Sequence, residues 1–152
     1  MSVTGRIFRA GLIAVAPSFV AALVAPVGLP ASLIANACKL VTAADAREAL
    51  GAAVRPSVLV NLGIDESCRY STTTMSKTLS VAFHPLSKSD FAKLVEADGL
   101  TPLPGIAGSS YTAPGGITVW KNGIQATFVV NPPGAVSLRA EKQLANRVIA
   151  RL

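Results

Sequence analysis

Charged residues are scarce in this 152-residue chain, making up 14% of it, and between Ala10 and Ala37 there are none. Aromatic residues are fewer still at 5%, with one tryptophan, and the chain holds one histidine and two cysteines. These shortages exclude several kinds of chemistry. Two cysteines and one histidine cannot fill a tetrahedral zinc site by themselves, so neither a metal nor another cofactor is expected. No glycine-rich phosphate loop occurs, and no Asn-x-Ser/Thr glycosylation acceptor. Basic residues outnumber acidic ones 14 to 8. However, Lys39, Arg47, Arg55, Arg69, Lys77, Lys88, Lys93 and Lys121 are scattered, not gathered on one face with aromatics between them, which argues against a nucleic-acid partner.

What the chain does have is an apolar start. Arg6 and Arg9 precede the charge-free run, Leu12 to Leu29 form its apolar centre, and Pro26, Gly28 and Pro30 interrupt any helix before Ala35-Asn36-Ala37. A basic start, an apolar middle and a small-residue A-x-A end are the order of a secretory signal peptide. Residues 1–37 are therefore expected to be a signal peptide. The alternative is a retained membrane anchor, because a charge-free stretch above about 18 residues is long enough to span a bilayer. Pro17, Pro26 and Pro30 weigh against the anchor, since each frees a backbone carbonyl that hydrocarbon cannot satisfy. Removing residues 1 to 37 takes Arg6 and Arg9 from the 14 basic residues and nothing from the 8 acidic ones, so residues 38–152 carry +4. That remainder is long enough for one hydrophobic core and too short for two. The expected location is secreted or in the cell envelope.

Cys38 and Cys68 are the only cysteines. An even count in an exported chain points to a disulfide, because an oxidising compartment lets it persist. In the chain-entropy account, closing a loop of about 30 residues stabilises by about 3.5 kcal/mol. A second reading is lipidation of Cys38, which directly follows Ala37. Against it, Ala35, Asn36 and Ala37 match a lipoprotein signal poorly, and acylation would leave Cys68 without a partner. Two free thiols, or two metal ligands, are the third.

The rest of the chain reads as one α+β domain, a mainly antiparallel sheet with helices packed on one face. Thr42 and Asp45 form a capping box for a helix that Gly51 stops, with Ala46, Ala49 and Leu50 on the face that must be buried. Candidate strands follow at 57–62, 68–73 and 78–84, the last alternating Leu79, Val81 and Phe83 with polar or small residues. Ser87 and Asp90 open a second helix that ends at Asp98-Gly99. After a loop rich in Pro, Gly and Ser, with Tyr111 on a short strand, comes Ile117 to Lys121, then Asn122-Gly123, then Ile124 to Val130. Asn-Gly accepts the positive φ values of a type I′ turn, so these runs are expected to pair as a hairpin. Ser137 opens a final helix with Leu138, Leu144, Ala145, Val148, Ile149 and Leu152 on one side. A degenerate strand-strand-helix duplication is conceivable, ending once in Phe83-His84-Pro85 and once in Val130-Asn131-Pro132, with Tyr70 and Tyr111 at comparable places.

Cys38-Lys39-Leu40-Val41-Thr42 with Leu50-Gly51, then Cys68-Arg69-Tyr70, then Leu103-Pro104-Gly105-Ile106-Ala107-Gly108 before Tyr111, together resemble small exported two-cysteine domains common in actinobacteria. Many of those are lipoproteins of unknown function. The resemblance implies a disulfide joining a helix start to a strand, which maps onto Cys38 and Cys68. It implies nothing about an activity.

Catalytic groupings are weak. His84 lies beside Pro85, and its sequence neighbours Ser87 and Asp90 are better explained as a helix cap than as a nucleophile and its orienting acid. Thr74-Met75-Ser76-Lys77 only superficially resembles a Ser-x-x-Lys catalytic motif and reads as an exposed turn. Asp65-Glu66 and Glu96/Asp98 read as solvated surface. Tyr70, Tyr111 and Trp120 are the candidate ligand-binding residues, because an aromatic near a strand end or hairpin tip can anchor a sugar, lipid or protein. The expected function is a non-catalytic module binding a protein or a small envelope ligand. The alternatives are a small envelope hydrolase, or a membrane-tethered structural protein.

Overall fold

The computed structural model describes residues 36 to 61, 63 to 113 and 115 to 152. The expected signal or anchor segment lies outside the described residues except for Asn36 and Ala37. No helix among the described residues is long and apolar enough to cross a membrane.

Short α1 (Ala37–Leu40) leads into α2 (Ala43–Leu50). The Thr42 hydroxyl accepts the Asp45 N–H and the Asp45 carboxylate accepts the Thr42 N–H, so both halves of the capping box form, and Gly51 ends the helix at φ 65°. Three strands follow, β1 (Val58–Asn61), β2 (Glu66–Ser71) and β3 (Thr78–Pro85), then α3 (Lys88–Ala97) capped by Ser87. The second half comprises β4 (Thr101–Pro102), β5 (Ser109–Ala113), β6 (Gly116–Lys121), β7 (Ile124–Asn131) and α4 (Leu138–Ile149). Asn122 and Gly123 have φ 52° and 81°, the pair of positive values that a type I′ turn between β6 and β7 requires.

All seven strands join one antiparallel sheet in the order β1-β2-β3-β7-β6-β5-β4. The chain is thus an α+β protein. Strands β1 to β3 form one meander and β5 to β7 another, meeting along the central β3–β7 pair with Val81 opposite Phe128. One face is apolar: Cys68, Tyr70, Leu79, Val81, Phe83, Ile117, Val119, Ala126, Phe128 and Val130 are all buried. Against it pack α1, α2 and α4, adding Val41, Ala46, Leu50, Leu144, Val148 and Ile149 to the core. Alternation with period two sends every second strand residue to this face, which is why β3 and β7 read so clearly in the sequence.

Helix α3 departs from the one-face arrangement. Its buried Phe91 meets Tyr111 edge to face, ring centroids 5.7 Å apart. Tyr111 pairs with Thr118, on the face opposite buried Val119. The two meanders are counterparts at the level of strands, as a strand-strand-helix duplication requires, but the helices that follow them lie on opposite faces. Tyr70 and Tyr111, comparable in sequence, are also on opposite faces.

Cys38 and Cys68 form a disulfide, Cα atoms 4.9 Å apart, that ties α1 to β2. The Cys38 sulfur is consumed in this bond, so it is not the attachment point of a lipid thioether.

Candidate functional site

The second face of the sheet is where side chains with chemistry collect. Because cross-strand partners share a face, the register Ser67–Ala82–Thr127–Thr118–Tyr111 runs straight across it, flanked on one side by Asp65, His84, Gln125 and Trp120 and on the other by Arg69, Ser80, Val129 and Gly116. Helix α3 covers only the end near Tyr111 and Trp120. Over the central strands, Ser80, Ala82, Thr127 and Val129 stay half-buried even though they lie mid-sheet. The floor is small and hydroxylated. Thr118 and Thr127 hydroxyls are 3.3 Å apart, and Gln125 Nε2 donates to both, at 3.1 and 3.4 Å.

Of the three candidate aromatics, the structure brings two together and removes one. Tyr70 is a correction: it is 3% exposed, and its hydroxyl donates to the Val41 carbonyl at 2.8 Å, so it belongs to the core beside the disulfide and offers no surface to a ligand. Tyr111 and Trp120 are diagonal neighbours on the second face, both half-buried. Trp120 is less free than its place next to a turn implies. Its indole N–H donates to the Leu86 carbonyl at 2.7 Å, which fixes the ring against the start of α3 and leaves only its apolar surface for a partner.

His84 does not meet Ser87. The Ser87 hydroxyl accepts the Asp90 N–H at 3.1 Å and donates to the Asp90 carboxylate at 2.7 Å, so both residues are used in capping α3. His84 Nδ1 instead contacts the Asp65 carboxylate. This pairing was not visible in the sequence, where Asp65-Glu66 looks like solvated loop; it arises because the β2–β3 register, which pairs Glu66 with Phe83, brings the residues just beyond that pair together. Glu66 is not free surface either, since its carboxylate accepts the backbone N–H groups of Asn36 and Ala37. The Thr74-to-Lys77 turn is as the motif comparison implied: Thr74 and Ser76 bond to each other at 2.8 Å, and Lys77 Nζ reaches back to the Leu50 carbonyl at 3.2 Å.

A carboxylate on Nδ1 orients an imidazole as in hydrolytic triads. A nucleophile would have to bond the other ring nitrogen, and among the described residues none does. No cluster of three or more His, Cys, Asp or Glu that could hold a metal occurs among them. At the sheet's far edge, Pro102, Pro104, Ile106, Ser109 and Tyr111 border a shallow groove of about 470 Å³. Tyr111 lines this groove and also stands on the second face.

No protein family matches the chain, and no curated protein and no solved structure is similar to it.

Proposed function

We propose that this is an exported cell-envelope protein whose disulfide-bonded domain binds a protein partner without catalysis, across the second face of its sheet. The observation that carries the reading is the uncovered centre of that face. Three helices bury one side of the sheet, while Ser80, Ala82, Thr127 and Val129 on the other stay half-exposed. An open sheet face of small, half-exposed side chains suits a broad partner better than a small molecule, which favours an enclosing pocket. Tyr111 and the fixed ring of Trp120 supply rigid apolar area at its edge, the kind of anchor that dominates interface energetics. Export is supported by the basic-apolar-small order of residues 1 to 37 and by the disulfide, since such bonds persist in oxidising compartments. The resemblance to small exported two-cysteine domains points the same way.

The test compares three variants of the exported chain in chemical cross-linking on intact cells. Ala82→Arg in the middle of the face and Trp120→Ala at its end are expected to abolish a cross-linked product that Arg139→Glu, at an exposed position of α4, leaves intact. A product that survives both face variants places the interface elsewhere. An activity lost in His84→Ala with the fold retained would install the envelope hydrolase reading instead.

A further inference from the structure

We infer that two copies of this chain pair edge to edge through β1, antiparallel about a two-fold axis centred on Leu59, so that their sheets run on as one. The two ends of the sheet are built differently. At the β4 end the edge strand is two residues long, Thr101–Pro102. Pro102 and the following Pro104 have no N–H to offer, and a short, proline-bearing edge keeps a sheet from pairing further. At the β1 end no further strand follows among the described residues, and no backbone hydrogen bond among them reaches Val58–Asn61 from the outer side. The stretch Ser57-Val58-Leu59-Val60-Asn61 holds neither proline nor charge. Its side chains are uncovered on both faces of the sheet. Val58 is 57% exposed, and Leu59 is 45% exposed although its cross-strand partner Cys68 is fully buried. An edge strand left open and apolar is a template for another strand.

Two observations favour a second copy as that strand. The first is fit. Paired residues of an antiparallel sheet share a face, so a two-fold copy centred on Leu59 sets Leu59 beside the second copy's Leu59 on the helical side. On the other side it sets Val58 beside the second copy's Val60. Each exposed apolar side chain of β1 thereby meets an apolar one, and the contact uses the same patch on both copies, as closed dimers do. The second is charge. Exposed Arg55 precedes β1 and exposed Arg69 pairs with Val58 at its start, whereas Asp65 and Glu66 lie where it ends, Glu66 opposite Asn61. Antiparallel pairing brings the basic start of each strand to the acidic end of the other, while a parallel copy would set like charge beside like. The strand contact is only four residues a side, so the dimer is a reversible one. The second faces of the two copies then lie side by side, which widens the proposed binding surface without depending on it.

Sedimentation velocity of the full chain, expressed in an exporting bacterial host, tests the pairing over a concentration series reaching the millimolar range. Wild type is expected to pass reversibly from monomer to dimer. Leu59→Lys, which sets two ammonium groups side by side, is expected to weaken dimerisation by about tenfold or more. Leu138→Lys, at a 48% exposed position of α4, is expected to leave it unchanged. Leu59→Cys gives a readout that does not require the lysine variant to fold: oxidation is expected to link two copies at residue 59, whereas Leu138→Cys stays monomeric on a non-reducing gel. A wild type that is monomeric throughout the series, a dimer of full strength in Leu59→Lys, or equal cross-linking of both cysteine variants overturns the inference. None of these outcomes touches the second-face reading, whose own test lies at Ala82 and Trp120.

Discussion

Burial alone pushes the Asp45 carboxyl upward, since a charge is costly away from water. Here it is overridden. The Arg151 guanidinium donates at 2.6 Å, the Thr42 hydroxyl at 2.7 Å and the Thr42 N–H at 2.9 Å, and together they lower the Asp45 pKa from 3.8 to about 2. A folded pKa below the unfolded one means stability that is complete above the unfolded value and lost as pH falls through the folded one. The window is therefore about pH 4 down to 2, and the contribution is about 2 kcal/mol. Asp45→Asn is expected to lose about that much at pH 7 and to show a flatter acid limb than wild type in urea unfolding followed from pH 6 to pH 2. Parallel acid limbs would show that Asp45 is not the titrating group. The residue does two jobs that only one of its neighbours advertises: its capping of α2 is legible from Thr42 three residues earlier, whereas Arg151 is 106 residues away and no local pattern announces it.

At the scale of elements, the loop between β4 and β5 shows how a backbone position can be set by its surroundings. Gly105 and Gly108 both have positive φ, 93° and 103°. A Cβ at Gly105 would meet nothing within 4 Å, while one at Gly108 would lie 2.6 Å from the Trp120 carbonyl oxygen. Gly105→Ala is thus expected to cost only backbone strain, about 1 kcal/mol, and Gly108→Ala about 3 kcal/mol because β5 and β6 must part as well. Chemical denaturation of the two variants measures the difference, and Trp120 fluorescence should change in Gly108→Ala alone. Equal losses would mean that the close approach to Trp120 does not hold. Elements of this kind divide cleanly into those that local sequence encodes and those that it does not. The capped helices at Thr42, Ser87 and Ser137, and the Asn122-Gly123 hairpin, are written in neighbouring residues because their hydrogen bonds are local. Helix α1 has four residues and exists because the disulfide and Glu66 hold it, and β4 has two residues paired only through β5, so neither carries a periodic signal.

For the whole molecule, the decisive contacts are between segments far apart in sequence, which is why strand order and the make-up of the second face were beyond local reading. The β3–β7 pairing at the centre of the sheet, the Asp65–His84 contact and the passage of α3 to the second face all follow from it. The beginning of the domain is held to its end as well: Arg151 donates to the Leu40 carbonyl at 2.6 Å and to Asp45, and Arg147 pairs with Glu48, while Lys121 Nζ ties the end of β6 to α4 through the Ile149 carbonyl at 2.8 Å. The disulfide adds a covalent tie between residues 30 apart, enclosing α2 and β1. Chain entropy assigns that tie about 3.5 kcal/mol, a large part of what a domain of this size holds in total. Reduction is therefore expected to lower the melting temperature by about 15 °C. The noncovalent ties should still support a folded chain at room temperature, and the second face, on the far side of the sheet from α1 and α2, should keep its partner. Calorimetry with and without reductant checks the first expectation, and cross-linking of the reduced protein below its transition checks the second. A folded reduced protein that no longer forms the product would move the interface to the helical side, next to Cys38.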